Sequence, residues 1–386
     1  MASFRLLAAG VLAACLVISS PGRSPVVERP NIASGLTVHE WGTFTSVAGP
    51  DGEPLFWAPL AASANLPDFV ERFQDASPKC TLSGTIRMET PVMYFYSPRE
   101  MTVSVKVSFS RGVITEWYPH ASATKYDDNE GLIRWDEVRL LPDAHASFPS
   151  AGADNQYYAA RNTAATPLRA KAPGGDQNEK FLFYRGVSSA PLPIAARVTA
   201  EGKVQFETPA TELIPGMMLI ESRGGKFGYR VPAGLRDRFV LDQPPLTASA
   251  DSMLKDLESI LIRSGLYVDE ARAMIATWRN AWLEEGSRIL YIVPAQAVNS
   301  ILPLRIDPSP ANTLRVFVGR LELVTAASEK AVSRAFETHD RAVLEQYRRF
   351  LVPILNTMIA NAKADPARTR ELKDDLNSAY SYACRP

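Results

Sequence analysis

The residues best suited to chemistry begin in the segment HEWGTFTSV, residues 39 to 47. His39 and Glu40 are the residue types that a metal site or an acid/base pair would use. On a β-strand, however, neighbouring side chains point to opposite faces of the sheet. His39 would then share a face with Trp41, and Glu40 would share the more apolar face with Gly42. The two side chains could ligate one ion only if the strand carried a bulge.

Glu40 is the first candidate catalytic residue, because a carboxylate on an apolar face needs either a partner or a shifted pKa. One interpretation is an acid/base group in a small pocket. A second is a structural ion pair, for which the candidate partners are Arg87, Arg185 and Arg230. A third places Glu40 at an exposed edge of the sheet.

The segment EWYPH contains the second candidate acid/base residue, Glu116. Glu116, Tyr118 and His120 would share one face of a strand that ends near Pro119. Aromatic side chains could also line a cleft for a polymer, and the candidate binding residues are Trp41, Trp117 and Tyr118.

A metal site is a further alternative, because the segment DAHA adds two more oxygen and nitrogen donors. The candidate ligands of a divalent ion are His39, His120, Asp143 and His145. The chain has 4 histidines in total and lacks the HExxH, HxH and calcium-loop patterns, which favours ordinary hydrogen bonds for these side chains. We therefore expect no cofactor and keep a divalent metal as the alternative.

The elements that would position these residues are mainly strands from residue 36 to 245. Residues 101 to 110 alternate strictly between apolar and polar side chains, which is typical of a half-buried strand. Turns at residues 111–112, 201–202 and 224–225 predict three β-hairpins. Hairpins in series indicate an antiparallel β-sandwich or a barrel-like domain.

Residues 246 to 386 predict a mainly helical domain with a few strands, which makes the chain α+β. Apolar residues at 253, 254, 257, 260 and 261 have helical spacing. A second helix should begin at Asp269 as its N-cap and end before Gly286. Trp278 and Trp282 would form a core stripe on it. Later helical segments should be interrupted at Pro353 and should resume at Asp365.

The N-terminus predicts export. One arginine precedes an apolar run from Leu6 to Ile18, so residues 1 to 20 are typical of a secretory signal, and residues 21 to 35 read as a linker. The segment LAAC resembles a lipoprotein signal that ends before Cys15, which would then be lipidated. Cleavage nearer Ser20 or Gly22 and an uncleaved anchor are the alternatives. The mature protein would be periplasmic or extracellular, and only a lipid on Cys15 would attach it to a membrane.

The composition argues against one class of main partner. The chain has 42 basic and 42 acidic residues, which argues against nucleic acid because phosphate binding needs a basic excess. Motifs of serine hydrolases, dinucleotide-binding proteins and P-loop proteins are also missing from the sequence. A polymer or protein of the cell envelope is the partner we expect.

Five segments together, HEWGTFT, METPVMYFYS, EWYPHA, EKFLFYRGV and RVFVGRLEL, resemble an uncharacterised family of exported bacterial proteins that carry a HEWGTFT motif. The resemblance spans most of the mature chain. It implies export and transfers no catalytic role. Two hypotheses follow: a non-catalytic binding or scaffold protein of the cell envelope, and an exported hydrolase with Glu40 or Glu116 as its acid/base residue. A hydrolase should gather Glu40 with Glu89, Glu116, His120 or His145 around one pocket.

Export also predicts a disulfide between Cys80 and Cys384, since Cys15 belongs to the signal segment and oxidising compartments favour paired cysteines. The alternative is two buried or unpaired thiols. The bond requires a Cα–Cα distance below about 7 Å. It would close a long loop, which loop-entropy models value at about 5 kcal/mol as an upper bound. In a non-reduced digest of the exported protein, mass spectrometry should find the two cysteine peptides joined. Separate peptides that each carry a free thiol would contradict the bond.

Overall fold

A computed structural model describes residues 35–49, 51–57, 66–73, 83–127, 130–151, 155–208, 213–232, 237–348 and 350–383. The signal segment and Cys15, Cys80 and Cys384 lie outside these ranges, so export, lipidation and the disulfide stay predictions. Within them, no helix is long and apolar enough to cross a membrane.

The strands form three sheets, and the longer ones have alternating or mostly buried side chains. Their bounds are β1 (Thr37–Ala48), β2 (Glu71–Arg72), β3 (Ile86–Tyr96), β4 (Met101–Ser110), β5 (Gly112–Tyr118), β6 (Ala123–Asp127), β7 (Glu130–Leu140), β8 (Leu168–Ala170), β9 (Gln177–Glu179), β10 (Phe181–Ser188), β11 (Ala195–Val198), β12 (Val204–Glu207), β13 (Met217–Arg223), β14 (Lys226–Arg230), β15 (Arg238–Leu241), β16 (Gly286–Ile292), β17 (Leu304–Asp307) and β18 (Asn312–Leu323).

The helices lie mainly in the last third of the chain. They are α1 (Ala250–Arg263), α2 (Val268–Trp282), α3 (Ala295–Ile301), α4 (Ala326–Glu337), α5 (Arg341–Gln346), α6 (Leu351–Asn361) and α7 (Pro366–Ala383), and a 3-10 helix spans Gln156–Arg161.

The main sheet has nine strands in the order β14-β13-β16-β18-β1-β3-β10-β5-β2. β1 pairs with β18 in parallel and with β3 antiparallel, so the first strand lies in the middle of the sheet. Every residue of β1 is buried, as is expected for a strand that is covered on both faces.

One face of the main sheet, which we call the inner face, packs on the two smaller sheets. Their strand orders are β17-β4-β7-β8-β9, with β6 beside β7, and β11-β12-β15. The shared core includes Phe44 of β1, Val105 of β4 and Phe206 of β12. The sandwich arises because each sheet has one apolar face to bury.

The outer face of the main sheet is covered by helices. Trp41 of β1 packs in one cluster with Met274 and Trp278 of α2. Val47, near the end of β1, packs in another cluster with Leu351 and other residues of α4 to α7. Trp278 and Trp282 are buried, which confirms the predicted core stripe.

The α+β class is confirmed: a sheet-rich N-terminal region precedes a helical C-terminal region with a few strands, and the sheets do not close into a barrel. β16, β17 and β18 all come from the later region, and β16 and β18 lie in the main sheet.

Two predicted hairpins are confirmed, β11–β12 and β13–β14. The third was wrong. β4 pairs with β17 and β7, whereas β5 pairs with β10 and β2, so the chain changes sheets at Arg111–Gly112. A short turn that contains glycine fits both a hairpin and a crossing between packed sheets, and the local sequence does not separate them.

Two helix boundaries also differ from the predictions. The N-cap of α2 is Tyr267 rather than Asp269, and Glu270 closes a capping box with the Tyr267 backbone. Pro353 does not interrupt a helix, because α6 begins at Leu351 and the proline lies in its first turn. An amide in the first turn has no partner within the helix, so proline is tolerated there.

Gly186 of β10 packs closely against β5 and the Phe109 ring, and a substitution there can test this packing. A Cβ atom at this position would clash with the Val113 carbonyl oxygen and the Phe109 ring. We expect Gly186→Ala to lower the free energy of unfolding by roughly 1–3 kcal/mol. The control is Gly174→Ala, where no atom lies within 4 Å of the added carbon. Equal midpoints in urea titrations of the two variants would contradict the packing described.

Candidate functional site

Glu40 lies on the inner face of β1 and is fully buried. Arg315 on the neighbouring strand donates from Nε to Glu40 Oε2 at 2.6 Å, and the Tyr184 hydroxyl donates to Oε1. Burial, with the nearby Glu40 charge, raises the pKa of Tyr184 well above its ordinary value. Tyr184 therefore stays a neutral donor, and both carboxylate oxygens of Glu40 are occupied.

The ion-pair interpretation of Glu40 is confirmed in kind, but the expected partners were wrong. Arg87 forms an ion pair with Glu89, and Arg230 donates to the Asp242 carbonyl. Arg315 is the partner because the parallel pairing of β1 with β18 places it beside Glu40 in register. The glycine two residues further on leaves no pocket, since a Cβ at Gly42 would lie 2.8 Å from the Phe317 ring.

His39 points to the outer face, as the strand alternation predicted. Its Nδ1 lies 2.9 Å from Oε2 of Glu270 in the first turn of α2. The hydroxyl of Tyr96 donates to the other oxygen of Glu270 at 2.7 Å, and the His39 ring packs on Tyr267 with centroids 4.4 Å apart. His39 therefore fixes α2 on the sheet. Although β1 carries a bulge against β3, it lies between Trp41 and Thr43 and leaves His39 and Glu40 on opposite faces.

Glu116 lies on β5, and the strands β3 and β10 separate β5 from β1 in the main sheet. Glu116 is buried and accepts a hydrogen bond from the Thr115 hydroxyl. It lies beside Arg185 of β10 and Arg72 of β2 in the sheet register. Glu116 is two residues from Tyr118 on the same strand, so both side chains point to the same face of the sheet. Tyr118 packs in the outer-face core. Glu116 and Glu40 thus belong to opposite faces of the main sheet.

The three candidate aromatic binding residues are core residues in this fold. Trp41, Trp117 and Tyr118 are 0%, 7% and 3% exposed, respectively. Trp41 and Tyr118 pack on the outer face, whereas Trp117 packs on the inner face. They do not form one aromatic surface.

His120 takes part in a cluster that sequence reasoning missed and that solvent reaches. Its Nδ1 lies 2.8 Å from Oε1 of Glu71, and Trp117 Nε1 donates to Glu71 Oε2 at 2.8 Å. The His120 and Glu71 side chains are each 31% exposed. His120 also lines a small pocket of about 160 Å³ with Ser122, Asp136 and other residues. Glu71 lies in a two-residue strand, and no sequence pattern marks it.

The candidate metal ligands are not brought together. His39 and His120 each contact a different glutamate, while Asp143 and His145 lie exposed in the loop after β7. Across the described ranges, no group of three or more His, Cys, Asp or Glu residues could hold an ion.

A second buried charge network was also missed by sequence reasoning. Glu322 of β18 accepts from Arg288 Nε at 2.7 Å and from Arg320 Nε at 2.6 Å. Burial alone would raise the pKa of Glu322, but the two guanidinium groups hold it below its ordinary value. Arg288 also donates to the Trp282 and Glu284 carbonyls at the end of α2. This network joins α2 to the main sheet.

A groove of about 660 Å³ opens beyond the ends of the sheet strands, and we call it the Glu329 groove. This volume is within the range of small-molecule sites, about 300–1,000 Å³. Its walls come from the β11–β12 turn, from the first turn of α4 and from the C-terminal part of α6. They include Thr199, Arg223, Glu329 and Asn361.

Glu40 gives the sharpest test of the buried ion pair. We expect Glu40→Ala to cost about 3–5 kcal/mol of stability, because it leaves Arg315 charged, buried and without its carboxylate. The exposed Glu53→Ala should stay within about ±0.5 kcal/mol. The double variant Glu40→Met/Arg315→Met should lose less than Glu40→Ala, since no charge is left unpaired. A neutral Glu40→Ala result in thermal melts would contradict the prediction that Arg315 is left as a buried, unpaired charge.

Comparison with known proteins does not extend this description. No protein-family model matches the chain, and no curated protein matches it. The function must therefore be argued from the geometry of these clusters.

Proposed function

We propose that the protein is a non-catalytic binding or scaffold protein of the cell envelope, exported to the periplasm or the extracellular space. One observation supports this most: the candidate acid/base carboxylates are dispersed over opposite faces of the main sheet. Glu40 is bound by Arg315 and Tyr184 on the inner face, while Glu116 lies on the outer face. Two carboxylates that share a reaction must flank one substrate.

The environment of Glu40 also suits structure better than catalysis. A general base must reach a proton on the substrate. Both oxygens of Glu40 already accept hydrogen bonds, and its side chain is 0% exposed. His39 is similarly held by Glu270 beneath α2. These groups fix strands and helices relative to one another, which is what a rigid binding protein needs.

The Glu329 groove supplies the surface that binding requires. It lies at a junction of turns and helix ends on a rigid sheet, where ligand sites commonly occur. A polymer segment or a small envelope ligand would fit its volume of about 660 Å³. Membrane attachment in this proposal comes only from a lipid on Cys15.

A second candidate function, an exported hydrolase, is favoured by the His120–Glu71 pair. A carboxylate on Nδ1 fixes the tautomer of a histidine and leaves Nε2 as a base. His120 borders the same small pocket as Ser122, whose Oγ accepts from the Asp136 amide. In this alternative His120 replaces Glu40 and Glu116 as the acid/base residue.

Turnover assays separate the two functions. Purified mature protein should hydrolyse chromogenic carboxyl esters, phosphate esters and glycosides no faster than its His120→Ala variant, with or without added divalent metal. The control is His145→Ala, which changes an exposed histidine in a loop. Hydrolysis that is lost in both His120→Ala and Glu71→Gln, yet kept in His145→Ala, would overturn the binding proposal.

A further inference from the structure

The Glu329 groove lies at one end of the main sheet, where three strands that run in the same direction finish. β1 and β18 are parallel, and β13 is antiparallel to β16, which is antiparallel to β18. Gly49 and Val324 directly follow β1 and β18, Arg223 is the last residue of β13, and all three line the groove. α4 starts immediately after β18, so its first turn forms one wall.

The two charged side chains of the groove are not equivalent. Arg223, on the wall formed by β13, is bonded to Glu221. Glu329 is about half-buried in the first turn of α4, and its Oε1 accepts from Asn361 Nδ2 at 3.2 Å. Within the part of the chain that the structure describes, no cation contacts Glu329. The groove therefore holds one neutralised cation and one carboxylate without a counter-ion.

Burial raises the pKa of Glu329, and the Asn361 hydrogen bond opposes this only in part. A carboxylate that is partly removed from water, and has no cation beside it, gains from any cation that can reach it. The N-terminus of α4 works against a cation, but its charge is a fraction, about +0.5. The whole negative charge of Glu329 exceeds it.

We propose that the Glu329 groove binds an aliphatic primary amine. The ammonium group would bond the free oxygen of Glu329 and the side-chain carbonyl of Asn361. The methylene chain would pack on small apolar walls, which include Val198, Ala200 and Val324. This assignment rests on the proposed binding function and names its ligand class. A free polyamine and a lysine side chain of a polypeptide share this chemistry.

Calorimetric titration tests the assignment with matched probes. Hexylamine should bind the wild-type protein, and hexanol should bind at least about tenfold more weakly, because it lacks the charge. Glu329→Gln should remove this difference between the two probes. Glu337→Gln, at the exposed far end of α4, should keep it. Asn361→Ala should weaken hexylamine binding in a second, independent way. Thermal melts of each variant confirm folding.

The pH dependence has a defined sign. Protonation of Glu329 removes its charge, so hexylamine binding should fall as the pH decreases through a value above the ordinary pKa of glutamate. The Glu329→Gln variant should show no such loss. A pH profile that is the same in both proteins would overturn the assignment.

Two peptides distinguish the sources of the amine. An acetylated and amidated Gly-Lys-Gly peptide that binds more tightly than hexylamine, while its norleucine counterpart does not bind, indicates a lysine side chain. The reverse preference indicates a free amine. Equal binding of hexylamine and hexanol would overturn the amine assignment and leave a binding function in place. Binding of none of these probes overturns the amine assignment, while the turnover assays test the binding function separately.

Discussion

The parallel pairing of β1 with β18 is the constraint on which the rest of the structure depends. Parallel neighbours cannot be joined by a tight turn and need a crossover. Here the crossover includes all the other strands and the helices α1 to α3, since β1 ends at Ala48 and β18 begins at Asn312. The main sheet can therefore be completed only when its first strand in the chain, β1, meets its last, β18. We call the β1–β18 pair the seam. The smaller sheets pack on one face of the sheet around it, and the helices pack on the other.

Charged residues in this seam define its register more than they stabilise it. Burying an ion pair costs desolvation energy that the pairing roughly offsets, so Glu40–Arg315 adds little net stability. A slip of β1 by one residue would nevertheless move Glu40 towards α2 and His39 towards the inner core. Each would then lose its partner, Arg315 or Glu270. An apolar strand would tolerate that slip far better.

The sequence could predict an interaction when the residues involved lie close together along the chain. The hairpin β13–β14 and the helix α1 depend on residues a few positions apart, so local patterns revealed them. The opposite orientation of His39 and Glu40 follows from strand geometry alone. The identity of Arg315 does not, because it lies 275 residues from Glu40 and is selected by tertiary pairing. Glu71 lacks even a local signal, since two residues of strand carry no periodicity. Cys80 and Cys384 lie outside the described ranges.

The same seam explains why polar side chains that a ligand can reach lie at the strand ends and not within the strands. Inside β1 the two titratable side chains, His39 and Glu40, are already bound by partners from β18, β10 and α2, so neither is available to a ligand. Where β1, β13 and β18 finish together, the chain must turn away, and turns leave amides, carbonyls and side chains that no neighbouring strand satisfies. Ligands of open sheets bind beyond the carboxyl ends of strands for this reason. Glu329 lies in the first helical turn after β18, so the rigid seam fixes its position, while its place beyond the sheet leaves it without a cationic partner.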